Sequence, residues 1–265
     1  MFICYAYQWT DTPMGRRLQT TDTSLAIVDL LKELDGATMP TIADRLDLAE
    51  STVHGHLKTL EANRLVVKKG NEYHLGLQFL SYGNSARTRK PEYQFAQEHV
   101  DRLAGATSEG ANFCVEEHGQ IIGLNAASAA DDPVYFVGRS SDMHNTAVGK
   151  AILAEMSDEA VREVVDRWGL SAYTDNTITD EAALFEALER VRETGVSFNR
   201  EELLDGLSSA AMVVKRPDSS VLGALSVGGP TYRIGGEKLE EEFPDLLRER
   251  KRAFEQQIRS VYSRD

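Results

Sequence analysis

The sequence predicts an α+β protein built in two parts, and two observations predict it. Residues 21–75 read as three short amphipathic helices followed by a small hairpin. Beyond a connecting helical stretch, strand-like segments come in pairs with helical text between them, the pattern of helices packed on an antiparallel sheet. At 265 residues the chain suits one large domain or two ordinary ones. The expected divisions are a disordered tail or over-long gene start at 1–15, a first domain at 16–78, a linker helix at 79–94 and a second domain at 95–265.

The first helix is expected in "TDTSLAIVDLLKEL", where Leu25, Val28, Leu31 and Leu34 form a stripe and Asp22, Thr23 or Ser24 stands ready as a cap. "DGATMP" breaks the chain at Gly36 and Pro40. "TIADRLDL" gives a second short helix with Ile42 and Leu46 at i, i+4. In "STVHGHLKTLEANRLV", Val53, Leu57 and Leu60 form the core stripe of a third. Val66 and Val67 then open a strand, Lys69-Gly70-Asn71-Glu72 turns, and Tyr73 and Leu75 return. This is the layout of a winged helix-turn-helix. Residues 75–107 continue as helix, loosened near Gly83 and Pro91. Two apolar segments then flank "EEHGQ", and two more flank Pro217-Asp218-Ser219-Ser220. Helical text lies between these pairs, and a charged amphipathic helix runs from Leu239 to Tyr262.

At about 100° per residue, Ser51, Gly55, Lys58 and Ala62 lie opposite the apolar stripe of the third helix, flanked by His54 and Thr59. Glycine costs roughly 1 kcal/mol against alanine in a helix interior. On an outward face it lets the backbone come close to another surface, which for a DNA-binding helix-turn-helix is the major groove.

The bulk numbers narrow the function. No apolar run approaches the roughly 20 residues that cross a bilayer, and the opening "MFICYAYQWTDTP" lacks the basic start of a signal peptide. Two cysteines, Cys4 and Cys114, are too few for a disulfide framework, so a reducing cytoplasm is expected. The net charge of −13 argues against a non-specific nucleic-acid coat protein, but the charge is uneven. Residues 14–75 are close to neutral, so nearly all the excess acid lies beyond them, which suggests different partners for the two parts. An acidic chain that favours Arg over Lys also suits a high-salt cytoplasm.

Metal and nucleotide chemistry are not expected. His54 and His56 point about 200° apart on a helix, and no Cys or carboxylate cluster completes a zinc site. Gly149-Lys150 lacks the glycine that a Walker A loop needs five places earlier, where His144 stands. Ser208, Ser209 and His144 are available to an enzyme, but no G-x-S-x-G setting surrounds them. A catalytic or protein-interaction role for the second part stays open on these residues.

Four stretches resemble the IclR family of bacterial and archaeal transcription regulators. They are "SLAIVDLLKEL…TIADRLDLAESTVHGHLKTLEANRLV" with "YHLGLQFLSYG", then "NTAVGKAILAEM", "YTDNTITDEAALFEALERVRETGVSFNREEL" and "SSAAMVVKRPDSSVLGALSVGGP". In this order they cover nearly all of the chain from about residue 20, and the composition fits a haloarchaeal member. The resemblance implies an N-terminal DNA-binding domain, a linker helix and a C-terminal effector-binding domain of PAS/GAF-like shape. It implies homodimers or dimers of dimers on palindromic double-stranded operators, and a small-molecule effector, an organic or sugar-derived acid. No cofactor is expected.

The expected DNA contacts are Ser51, Thr52, His54, Gly55, Lys58 and Thr59 on the third helix, Lys68 and Lys69 on the wing, and Arg16 and Arg17 reaching a neighbouring groove or phosphates. Relatives carry a long basic residue near position 55, which shifts base reading toward His54 and Lys58. Motif matching places the effector pocket between the sheet and the start of the "TAVGKA" helix, whose free N–H groups suit a carboxylate. It assigns Ala147 and Val148 at that turn and Asn199, Ser209, Ser226 and Gly228 on or beside the sheet. Relatives with small keto-acid ligands often have an acidic residue at the position of Asn199 and a serine at that of Gly228, which sets this pocket apart from theirs.

Overall fold

Apolar spacing and turn chemistry place the elements of this chain. The computed structural model describes residues 18–128 and 137–262. The expected tail, with Arg16 and Arg17, lies outside the described residues. The described residues up to Arg87 and those from Thr88 onward form two compact units, and each is described by itself.

The first unit runs α1 (Gln19–Glu33), β1 (Ala37–Thr38), α2 (Met39–Arg45), α3 (Glu50–Ala62), β2 (Val66–Lys69), β3 (Glu72–Leu75) and α4 (Gln78–Arg87). Its core joins Ile27, Leu30 and Leu31 of α1, Ile42 of α2, Val53, Leu57 and Leu60 of α3, and Val66 and Tyr73 of the wing. The expected stripe on α1 is corrected: Leu25 is exposed, and Ile27 and Leu30 carry the burial instead. The helix also starts earlier than its polar residues suggested. Leu18 is its N-cap and supplies no side-chain bond, while Thr23 donates back to the Gln19 carbonyl at 2.9 Å. Thr38 caps α2 by accepting from the Thr41 N–H at 3.4 Å, and Pro40 sits in the first turn, where its missing N–H costs nothing. β2 and β3 pair with Lys69 opposite Glu72, and β1 adds a third antiparallel strand beside β3. The connecting stretch expected as a linker at 79–94 is helical over Gln78–Arg87 and re-forms as a 3-10 turn at Pro91–Phe95.

After that 3-10 turn, the second unit runs α5 (Ala96–Thr107), β4 (Gly110–Glu117), β5 (Gln120–Ala127), β6 (Ser140–Ser141), α6 (Ala147–Leu153), α7 (Asp158–Trp168), α8 (Glu181–Thr194), β7 (Ser197–Arg200), β8 (Leu207–Lys215) and β9 (Val221–Pro230). A π-helical turn at Lys238–Glu242 leads into α9 (Phe243–Tyr262). The strands form one antiparallel sheet in the order β6-β5-β4-β9-β8-β7. His118 and Gly119 close the β4–β5 hairpin with φ of 58° and 79°, the paired left-handed conformation of a two-residue turn that matches strand twist.

Both faces of the sheet are covered, so its central strands are buried almost end to end instead of alternating with solvent. On one face Phe113, Met212, Val214 and Leu225 pack with Val100 and Leu103 of α5 and Phe254 and Ile258 of α9. The Phe113 and Phe254 rings meet edge to face at 5.4 Å. On the other face Cys114, Ala211, Val213 and Ala224 pack with Ala147, Ala151 and Ile152 of α6 and Leu184 and Leu188 of α8. Toward one end of this second face the sheet residues turn polar, and the packing opens.

Candidate nucleic-acid interface and effector site

Helix α3 has two unlike faces. Val53, Leu57 and Leu60 are buried, while Ser51, Thr52, His54, Gly55, Lys58 and Thr59 are all exposed. Among the described residues, nothing beyond the helix's own backbone and chain neighbours lies within 4 Å of where a Cβ on Gly55 would stand. The fold therefore has no use for a glycine here, and the roughly 1 kcal/mol it costs relative to alanine is unexplained from within. Thr59 donates to the Gly55 carbonyl at 3.0 Å. His56 points away from this face: its Nδ1 lies 2.7 Å from Ser24 Oγ and joins α3 to α1. On the wing Lys68 and Lys69 are exposed, and the Lys68 ammonium sits 5.2 Å from the Tyr73 ring centroid, a cation–π contact that holds its stem along the strand.

In the second unit a cavity of about 80 Å³ opens between the polar end of the sheet and the start of α6. A single water needs roughly 10–15 Å³, so there is room for a compact organic molecule. Ala147, Val148, Asn199, Ser209 and Ser226 all line it. The register explains the grouping: Ser226 lies directly opposite Asn112, and Asn199 directly opposite Ser209. Gly228 does not line the cavity. A Cβ there would stand 2.4 Å from that of Ser209, so its place is to leave room for that serine.

The walls are held by polar contacts. Thr146 accepts the Gly149 N–H at 2.9 Å and donates to the Asp142 carbonyl at 3.2 Å. Asn199 Oδ1 accepts from the N–H groups of Glu202, at 2.8 Å, and Leu203, at 3.4 Å, and so ties down the turn after β7. Beneath it the Lys150 ammonium pairs with the Glu202 carboxylate, both side chains buried. Burial pushes the Lys150 ammonium below its ordinary value, against the pull of that carboxylate. Thr177 and Thr174 donate to the Glu202 and Glu201 carbonyls at 2.7 Å each, and Tyr173 donates to Asp142 at 2.7 Å. The "YTDNT" loop thus joins the α6 start to the turn after β7. Gly149 is required by contact: a Cβ there would lie 2.1 Å from the Met143 carbonyl oxygen.

Cys114 lines the cavity, and burial pushes its thiol up to about 12. It is a neutral S–H, donating to Asn112 Oδ1 at 3.2 Å, and not a reactive thiolate. His144 is buried with Nε2 3.0 Å from the Ser171 carbonyl. Among the described residues no hydrogen bond joins it to Ser208 or Ser209. No group of three or more potential metal ligands occurs among the described residues, nor any helix long and apolar enough to cross a membrane.

The comparisons match this architecture. The family model described as the bacterial transcriptional regulator IclR C-terminal region matches residues 90–255, and that of the IclR helix-turn-helix domain matches residues 20–70. The chain belongs to the IclR family of DNA-binding transcription regulators. Among its relatives, the probable HTH-type transcriptional regulator ArcR of Halobacterium salinarum is 28% identical over 240 residues, 88% of this chain and 91% of that protein. The HTH-type transcriptional regulator BhcR of Paracoccus denitrificans is 30% identical over 84% of this chain and 81% of that protein. These relatives are regulators, not enzymes. An IclR transcriptional regulator from Alicyclobacillus acidocaldarius superposes with a TM-score of 0.76 at 27% identity, covering 92% of this chain and all of that one. An IclR homologue from Microbacterium hydrocarbonoxydans, complexed with 4-hydroxybenzoate, has a TM-score of 0.76 at 21% identity, covering 89% and 99%.

Several cavity residues of this IclR-family chain escape sequence reasoning: Asn112, Ile121, Arg139, Ser141, Thr146, Leu203 and Leu207. Strand alternation carried a usable signal for one of them, because Asn112 is a polar residue inside an otherwise apolar strand. Arg139 had none: it stands before a two-residue strand, and only the folded sheet edge brings it to the cavity mouth.

Proposed function

We propose that this IclR-family regulator binds palindromic operators through the outer face of α3 and the wing, as a homodimer or dimer of dimers in the cytoplasm, and that a small organic acid in the cavity changes its operator affinity. The observation that carries the reading is the cavity itself: an opening beside a sheet otherwise packed on both faces, floored by Asn112, Asn199, Ser209 and Ser226. Ser209 and Ser226 are more than nine-tenths buried, and their hydroxyls have no hydrogen-bond partner among the described residues. Burying unpaired polar groups is costly, and a polar ligand would supply the missing partners. A protein of the same fold holds 4-hydroxybenzoate, which supports an acid as the kind of ligand. The effector acts only through its differential affinity for the DNA-competent and DNA-incompetent arrangements.

On the DNA side, Lys58 and the hydroxyls of Ser51, Thr52 and Thr59 offer contacts to phosphates and base edges, and His54 stands beside them. The DNA half is tested with Gly55→Leu combined with Lys58→Glu. Both positions are exposed, so circular dichroism should match wild type and the melting temperature should not fall, while retention of a promoter fragment recovered by genome-wide binding is abolished. Unchanged retention overturns the DNA-reading face. The effector half is tested by melting shift against a panel of organic acids. An acid that raises the melting temperature and alters promoter retention supports it; silence across the panel returns the second unit to a protein-interaction role.

A further inference from the structure

Among the residues lining the cavity there is no carboxylate and one charged side chain, that of Arg139. The interior groups are donors by orientation. Asn112 Oδ1 already accepts the Cys114 thiol proton, and Asn199 Oδ1 already accepts two backbone N–H groups. Each amide therefore presents its NH₂ to the space, where the hydroxyls of Ser209 and Ser226 join it. The Thr146 hydroxyl is used in both directions within the chain. Asn125 also lines the cavity: its Nδ2 donates to Gln97 Oε1 at 2.9 Å, and its Oδ1 is a buried acceptor without a partner among the described residues. Around Asn112, Asn199, Ser209 and Ser226 the free side-chain groups are therefore donors, which suits an oxygen-rich anionic group.

The mouth has the same preference with a full charge. Arg139 is exposed, whereas Asn199 and Ser226 at the floor are 2% exposed. Its backbone is pinned to the sheet: the Arg139 carbonyl accepts the Gly123 N–H at 3.1 Å, and the Gly138 N–H donates to the Gly123 carbonyl at 2.8 Å. Among the described residues its guanidinium has no ion-pair partner. A guanidinium on a backbone held in place, without an ion pair among the described residues, is suited to receiving a carboxylate in a two-pronged geometry.

We propose that the effector is a short aliphatic dicarboxylate, one carboxylate on the buried donors of Asn112, Asn199, Ser209 and Ser226 and the other on Arg139 at the mouth. This rests on the reading that the cavity binds an effector, and it makes Arg139 the residue that separates diacids from monoacids.

The test uses the full-length protein and calorimetric titration at matched ionic strength, comparing acids of equal carbon number: propionate with malonate, butyrate with succinate, and valerate with glutarate. At least one diacid is expected to bind about tenfold or more tighter than its monoacid partner. Arg139→Gln should remove that preference, weakening the diacid far more than the monoacid, while leaving the melting temperature of the free protein unchanged. Arg139→Lys should keep part of it. Equal binding of monoacid and diacid, or an unchanged preference in Arg139→Gln, overturns the assignment while leaving the effector reading intact. If no acid of either kind binds, the effector reading falls and the assignment with it.

Discussion

Gly55 and Lys150 illustrate how single residues separate fold from function. Because a Cβ on Gly55 would meet only open space, Gly55→Ala should stabilise the first unit, by up to about 1 kcal/mol from helix propensity alone. The same change brings a methyl group onto the face assigned to DNA, so operator affinity should fall as stability rises. Chemical denaturation and a binding isotherm on one preparation check the two signs together, and a variant less stable than wild type would mean that the glycine serves the fold. Lys150 is the converse case. It is buried against Glu202, and removing one member of a buried pair leaves an uncompensated charge at a cost of about 3–5 kcal/mol. Lys150→Met should therefore destabilise strongly. Lys150→Met with Glu202→Leu should recover much of the loss, since two apolar groups bury without that penalty. Urea midpoints of the two variants decide it: a double variant no more stable than the single one would show that the pair contributes more than mutual neutralisation.

At the scale of elements, what was legible in the sequence follows from how local the cause is. The stripe on α3, the β2–β3 hairpin and the β4–β5 turn depend on residues within a few positions of one another, and the structure has them where spacing and turn chemistry put them. α1 was misread because its stripe was counted from Leu25, when Ile27, Leu30 and Leu31 fit one face equally well. Choosing between them needs α2 and α3 in place. The cavity was legible where motif matching reached it, at Ala147, Val148, Asn199, Ser209 and Ser226, and illegible where strands β4 and β5 from a distant part of the chain complete it. Gly228 shows the difference between sharing a strand with a site and facing it: it packs under Ser209. The expectation that the α6 start would hold a carboxylate is also narrowed by the element itself. α6 has seven residues, and Thr146 already takes one of its free N–H groups. On the proposed reading, the buried donors and Arg139 then carry more of a bound acid's charge than the helix end does.

For the molecule as a whole, the acidic second part of the chain also carries a built-in sensitivity to acid. The second unit buries two histidines: His99, stacked 4.6 Å over Phe254 and bonded to Gln257, and His144, bonded to the Ser171 carbonyl. Burial holds both below the usual histidine value of 6.5, outweighing for His99 the nearby Glu98 and for His144 the nearby Asp142 and Glu202. The unfolded chain therefore takes up protons near pH 6.5 that the folded unit refuses. By linkage, stability is at its full value above that pH and falls as the pH drops through it, until each folded histidine is itself protonated. The limiting slope is about 1.4 kcal/mol per pH unit for each histidine. The second unit should therefore weaken between pH 7.5 and 5.5, a window above the range where ordinary carboxylates titrate. Trp168 lies in the second unit, donating to the His118 carbonyl at 2.9 Å. With Trp9 replaced by Phe, its fluorescence reports that unit alone. Urea midpoints at constant ionic strength should fall with pH in the parent and fall less in His99→Gln and in His144→Gln. Parallel pH dependence in all three proteins would locate the acid sensitivity elsewhere.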